Sequence, residues 1–172
     1  WYCVDWDGNI YVVAEHFASG RDIDYHAGAI KEISGKLGWK TDWRGRLAAL
    51  IDSAAVQRTL ASSKSVAELF CERDILVNTR VNKDVFSGIS RVKAFLKQGN
   101  GEGNLYIFSS CVNMIAEFKS YFWASGDTPV KKDDHCMDEL RYYIMTRPRP
   151  PERQTASPVL ADKLRRIRRR RR

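Results

Sequence analysis

The sequence predicts a mixed α/β fold, a central sheet covered by helices, and three observations carry that prediction. Two β-rich runs open the chain on either side of a turn sequence, which gives an antiparallel start. Strand-like and helix-like segments then alternate, the pattern of a sheet with helices on both faces. With 172 residues, 44% of them hydrophobic, one domain with a substantial core is the natural size class.

The opening runs are residues 1–5 and 10–17, joined by Trp6-Asp-Gly-Asn. Residues 21–37 carry Ile23, Ala27, Ile30 and, slightly off the stripe, Ile33, with Gly35 and Gly38 closing the segment, so the spacing predicts a helix. A polar loop over 39–45 leads into Arg46-Leu-Ala-Ala-Leu-Ile-Asp52-Ser-Ala-Ala. A continuous apolar run of this kind is expected of a central strand buried on both faces. Asp52 at its end has two readings that the residues leave open: a ligand position where open α/β sheets bind, or an N-cap for the next segment. Ser65 and Glu68 are spaced as a capping box before a short helix, 65–73, and 75–79 reads as a strand. Residues 84–98 place Val85, Ile89, Val92 and Leu96 on one helical face. Gly99-Asn-Gly-Glu-Gly-Asn is a loop, 105–108 a strand and 111–123 a helix.

The last element is the most informative. Lys131-Lys-Asp-Asp-His-Cys-Met-Asp-Glu-Leu-Arg-Tyr142 crowds three aspartates and a histidine into the opening of a helix. Asp134 and Asp138 lie one turn apart on one face, beside an apolar stripe of Met137, Leu140 and Ile144. Like charges at this spacing repel unless a cation offsets them. The competing explanation is an acidic first turn matched to the helix dipole, which accounts for Asp133 and Asp134 better than for Asp138. His135 beside acids is either an ordinary helix residue or a group that orients a phosphate or water.

Charge and cysteines bound the function. The net charge is +8, yet residues 163–172 alone hold eight cations and no acid, while the other 162 residues hold 21 basic and 21 acidic groups. Such a run reads as a solvated arm whose polyanionic partner is nucleic acid, set off by Arg147-Pro-Arg-Pro-Pro-Glu as a stiff linker. Cys3, Cys71, Cys111 and Cys136 form no C-x-x-C pair, so neither a zinc ribbon nor a disulfide framework is indicated. No phosphate-cradling glycine motif occurs, which excludes an ATPase. No apolar run approaches the roughly 20 residues of a membrane span, and no signal-peptide layout is present. The expectation is a soluble intracellular protein.

Asp7-Gly-Asn-Ile-Tyr-Val-Val-Ala-Glu-His-Phe, the strand ending in Asp52-Ser-Ala, Ser65-Val-Ala-Glu-Leu-Phe, Gly88-Ile-Ser-Arg-Val-Lys and Asp134-His-Cys-Met-Asp-Glu-Leu-Arg-Tyr follow in an order that resembles the C-terminal nuclease domain of tailed-phage terminase large subunits. The resemblance spans residues 1–147, with 148–172 as a basic tail. It implies an RNase H-like mixed β-sheet with helices on both faces. It also implies a metal-dependent endonuclease that cuts concatemeric viral DNA during packaging in the host cytoplasm, with two Mg²⁺ or Mn²⁺ ions held by acids. Asp52 would be one ligand and Asp134 or Asp138 another, the choice between them being open, with His135 beside them. The family's first catalytic aspartate lies on a strand before the hairpin, and the chain is expected to begin after that strand. Asp5 and Asp7 are the early acids, and turn chemistry explains them better. The implied partners are double-stranded DNA, contacted by Lys131, Lys132, Arg165, Arg166, Arg168 and Arg169, together with an upstream ATPase motor domain, the small terminase subunit and the portal. A non-catalytic nucleic-acid-binding module, a damaged prophage remnant and another RNase H-like nuclease such as a resolvase remain the alternatives.

Overall fold

The opening hairpin forms as its turn chemistry requires. β1 (Tyr2–Val4) pairs antiparallel with β2 (Ile10–Val12), Tyr2 facing Val12. The Asp5 carboxylate closes the turn by accepting from the backbone N–H of Asp7 at 3.0 Å and of Asn9 at 2.9 Å, while Gly8 takes the left-handed φ of 88° that a side chain would resist. Asn9, which also donates its side-chain amide to Asp5, lowers the pKa of that carboxyl, as do Tyr11 and the backbone of Asp7. The structure, a computed structural model, describes residues 1–58, 63–97, 103–124 and 129–146. The tail and most of the glycine-rich loop lie outside the described residues.

After the hairpin come α1 (Ile23–Lys36), β3 (Leu47–Leu50), a 3₁₀ turn (Ser53–Val56), α2 (Val66–Cys71), β4 (Ile75–Asn78), α3 (Val85–Leu96), β5 (Leu105–Ile107), α4 (Val112–Ser120) and α5 (His135–Thr146). The caps account for most boundaries. Asp22 accepts from Tyr25 N–H at 2.8 Å and starts α1, and Asp84 accepts from Ser87 N–H at 2.6 Å and starts α3. Ser65 and Glu68 make the full capping box of α2.

The sheet departs from expectation at β3. β5 joins β2 in parallel to give the order β1-β2-β5, and β3 pairs in parallel with β4 in a separate two-stranded sheet. Among the described residues β3 therefore has one strand partner, and Ala48 is exposed rather than buried on both faces. A run of Leu and Ala reports apolar character but not the identity of the neighbouring strands, which tertiary packing decides.

Two cores follow from this arrangement. Ile10, Val12, Leu105, Met114, Leu140 and Ile144 bring β2, β5, α4 and α5 together, whereas Ala27, Phe70 and Ile75 pack α1 and α2 on β4. Carboxylates tie the first core in sequence. Glu15, just after β2, accepts from the backbone N–H of Asn113 at 2.8 Å and of Met114 at 2.9 Å, and so caps α4. Glu117 on α4 then accepts from Cys136 N–H at 2.6 Å and Met137 N–H at 3.3 Å, and so caps α5. Each fills donors that a helix start leaves open and adds negative charge where the dipole favours it. Because Glu117 is buried, Glu117→Ala should cost about 1–3 kcal/mol by stranding two N–H groups, measured as the shift of the denaturation midpoint.

Acid should loosen the α2 region. Arg58, followed by Ser65, holds the Glu68 carboxyl down from 4.5 to about 2. A depressed carboxylate contributes stability that is complete above the ordinary glutamate pKa and disappears as pH falls towards 2, because the unfolded chain then binds the extra proton. Glu68→Gln should flatten the fall of the melting temperature between about pH 5 and about pH 2.5.

Candidate metal centre

Asp52 sits where β3 ends, and its side chain does two jobs at once. One oxygen accepts from the backbone N–H of Ala54 at 2.6 Å, so Asp52 does cap the 3₁₀ turn. The same oxygen meets Lys83 Nζ at 2.5 Å, and the other accepts from the Tyr142 hydroxyl on α5 at 2.9 Å. Burial would raise this carboxyl, but the bonds from Lys83, Ala54 and Tyr142 outweigh it and leave the pKa lowered. Asp52 is thus held ionised, the state a cation ligand needs.

Tyr142 is the link between Asp52 and the acidic helix. Asp134, Asp138 and Tyr142 are spaced four apart; Asp138 and Tyr142 share one stripe of α5, and Asp134 stands just before it. Desolvation, the bond to Asp52 and the field of Asp138 together push the Tyr142 phenol far above its ordinary pKa. Both carboxylates therefore act on one hydroxyl, although 86 positions separate them in the chain.

Asp138 is in turn paired with Arg141 Nη2, whose side chain is 5% exposed against 26% for Asp138. Asp134 stands at the start of α5, its carbonyl accepting from Asp138 N–H at 2.9 Å. Asp133 turns the chain into the helix with a left-handed φ of 49°, which Asp tolerates better than most residues. His135, Lys131 and Lys132 are exposed at this same helix start. Arg165, Arg166, Arg168 and Arg169 lie outside the described residues.

By chemistry the set suits a divalent cation. Asp52 and Asp138 offer hard oxygens, and each is paired here with a cationic side chain, Lys83 and Arg141 respectively. By number it is incomplete: among the described residues no three His, Cys, Asp or Glu side chains converge as a metal-holding group. Three members of the constellation escape a sequence reading. Tyr142 could have been found as the next residue on the Asp134–Asp138 stripe. Lys83 and Glu117 carry no sequence signal, because a loop lysine and a mid-helix glutamate are ordinary until the fold brings them in.

Comparison with known proteins places the chain in a family. No curated protein sequence matches the chain. Its fold is similar to that of the large terminase from a thermophilic bacteriophage, solved in complex with ADP, with a TM-score of 0.62 and 23% identity over 82% of this chain and 34% of that one. The chain thus spans about a third of the length of that protein. Among the described residues no helix is long and apolar enough to cross a membrane. The family profile described as the terminase RNaseH-like domain matches residues 3–147, and the chain belongs to that family.

Proposed function

We propose that this domain is the metal-dependent endonuclease of a phage terminase large subunit, cutting concatemeric double-stranded DNA during genome packaging in the host cytoplasm. The observation that carries the reading is the bond from Tyr142 to Asp52, which sets the end of β3 against the face of α5 that bears Asp134 and Asp138. An N-cap at Asp52 would be satisfied anywhere on the surface, so shared work explains its bond to the helix that carries Asp138 better than local rules do.

In this reading Asp52 and Asp138, with Asp134 beside them, are ligands for Mg²⁺ or Mn²⁺. Two bound ions supply Lewis-acid stabilisation of the phosphodiester oxygens and lower the pKa of a water. The protein's own groups do the rest. Lys83 and Arg141 hold the two carboxylates in place, and Tyr142 fixes the orientation of Asp52 by donating a hydrogen bond to it. Exposed His135, Lys131 and Lys132 flank the acids where a DNA phosphate would arrive. The upstream ATPase motor, small subunit and portal are the partners proposed for the whole protein.

The test is conversion of supercoiled plasmid to nicked or linear forms by the 172-residue chain with Mn²⁺. Cleavage that disappears with chelator and in Asp52→Asn supports the nuclease. Equal cleavage by wild type and Asp52→Asn overturns the role of the site. One observation favours the second reading, a non-catalytic DNA-binding module: Asp52 and Asp138 each already have a cationic partner, and no three-ligand cluster forms among the described residues. In either reading, deleting residues 163–172 takes the net charge from +8 to zero and should weaken DNA binding at low salt. The slope of log affinity against log salt should flatten by about 0.9 for each phosphate that the tail no longer neutralises, measured by fluorescence anisotropy.

A further inference from the structure

Beside the proposed centre, and sharing Arg141 with it, α3, α4, the segment after α4 and α5 line a mainly apolar pocket of about 190 Å³. Ile89, Phe118 and Leu140 are among its walls. An apolar cavity of about 150 Å³ suffices for a benzene ring, so this one takes a ring with a small substituent. What sets it apart from a packing defect is its polar lining. Arg141 lines it and is only 4% exposed, yet among the described residues its Nε and Nη1 have no hydrogen-bond partner. The hydroxyl of Tyr121, also in the lining, is buried and without a partner among the described residues too. Burial raises the Tyr121 phenol while the charge of Arg141 and a side-chain hydrogen-bonding interaction with it pull the other way, so the two polar ends are neighbours, but their contact does not meet full hydrogen-bond geometry.

Unmet donors in an apolar surround are costly, and an acceptor that reached them would relieve that cost. The charges indicate what kind of acceptor. Arg141 is balanced by Asp138 on one side, so a second anion on Arg141 would leave the pocket negative unless another cation is near. Lys93 supplies it: it lines the same pocket, and its ammonium lies 5.6 Å from the centre of the exposed Trp123 ring. Asp138 and Asp134 also act on the Tyr121 hydroxyl, but neither lines the pocket, whose wall carries two cations and no acid, and that wall suits a monoanion. Gly88 is part of the construction, since a Cβ there would stand 3.2 Å from Arg141 Cδ and press the guanidinium out of its place.

From the orphaned Arg141 and Tyr121 at an apolar pocket with Lys93 beside it, we infer a second binding site, for a small carboxylate carried on an aromatic or branched apolar body. The carboxylate accepts from Arg141 and Tyr121, and the apolar body fills the space between α3 and α5. The site shares Arg141 with the proposed metal centre through its ion pair with Asp138.

Titration of the full 172-residue chain with benzoate and, separately, with benzyl alcohol tests it, read by Trp fluorescence and by backbone amide NMR shifts of α3 and α5. Benzoate should saturate and bind about tenfold more tightly than the uncharged alcohol, as charge-assisted bonds require. Tyr121→Phe and Lys93→Gln should each weaken benzoate about threefold or more and leave benzyl alcohol unchanged, while Ile89→Phe, which fills the pocket, should abolish both. Equal affinity for the two probes, no saturation by benzoate in the folded chain, or polar variants that affect both probes alike would overturn it.

Discussion

Asp52→Asn is expected to lower metal-dependent cleavage of double-stranded DNA by about 10²- to 10³-fold, the scale on which a preorganised site loses rate when one electrostatic group is removed. The substitution is nearly isosteric, and the fold should survive it. An amide oxygen can still accept from Ala54 N–H or from the Tyr142 hydroxyl, the two bonds that fasten β3 to its turn and to α5. What is lost is the negative charge that pairs with Lys83 at 2.5 Å. This pair is well exposed, so its loss alone should change stability by no more than about 1 kcal/mol. A circular dichroism melt beside the plasmid assay separates the two effects: activity lost with the melt unchanged is the expected pattern. A melt lowered in step with activity would make Asp52 a structural cap.

Ile144→Ala should produce the largest loss of stability, about 2–5 kcal/mol for a fully buried aliphatic side chain. Ile144 has no exposed surface and sits in the core that joins β2, β5, α4 and α5. In a domain of this size that loss corresponds to a fall in melting temperature of roughly 5–15 °C. The reason to choose α5 is that one helix does both jobs. Its inner stripe, Met137, Leu140 and Ile144, is buried, while Asp138 and Tyr142 lie on the next face, with Asp134 just before the helix. Ile144→Val should cost much less, about 0.5–1.5 kcal/mol. A small effect from Ile144→Ala would mean that α5 is not anchored as described.

The sequence was most legible where local chemistry decides. The Asp-Gly-Asn turn, the capping box at Ser65, and the amphipathic spacing of α3 and α5 are all short-range facts, and the elements form where those signals stand. It was least legible where pairing is long-range. The apolar run at 47–50 marked a strand but not its partner, and β3 meets β4 alone among the described strands. The site divides in the same way. The Asp134–Asp138 stripe follows from helix geometry, whereas the approach of Asp52 depends on Tyr142, on Lys83, and on the successive caps from Glu15 to α4 and from Glu117 to α5. Lys83 and the two capping glutamates have no local signature, because a carboxylate capping a helix 98 positions away looks in sequence like any other surface acid. Arg141 shows the opposite case: an arginine in an acidic helix reads as a solvated partner for Asp138, but it is buried beneath the space that Gly88 leaves.

Manganese titration followed by electron paramagnetic resonance asks most directly whether Asp52 and the α5 carboxylates serve one centre. The signal of free Mn²⁺ should fall as the 172-residue chain is added. Asp52→Asn and Asp138→Asn should each weaken binding by at least about tenfold, although one residue ends β3 and the other lies on α5. Binding that neither substitution changes, or no binding by the folded wild-type chain, would contradict a shared metal centre.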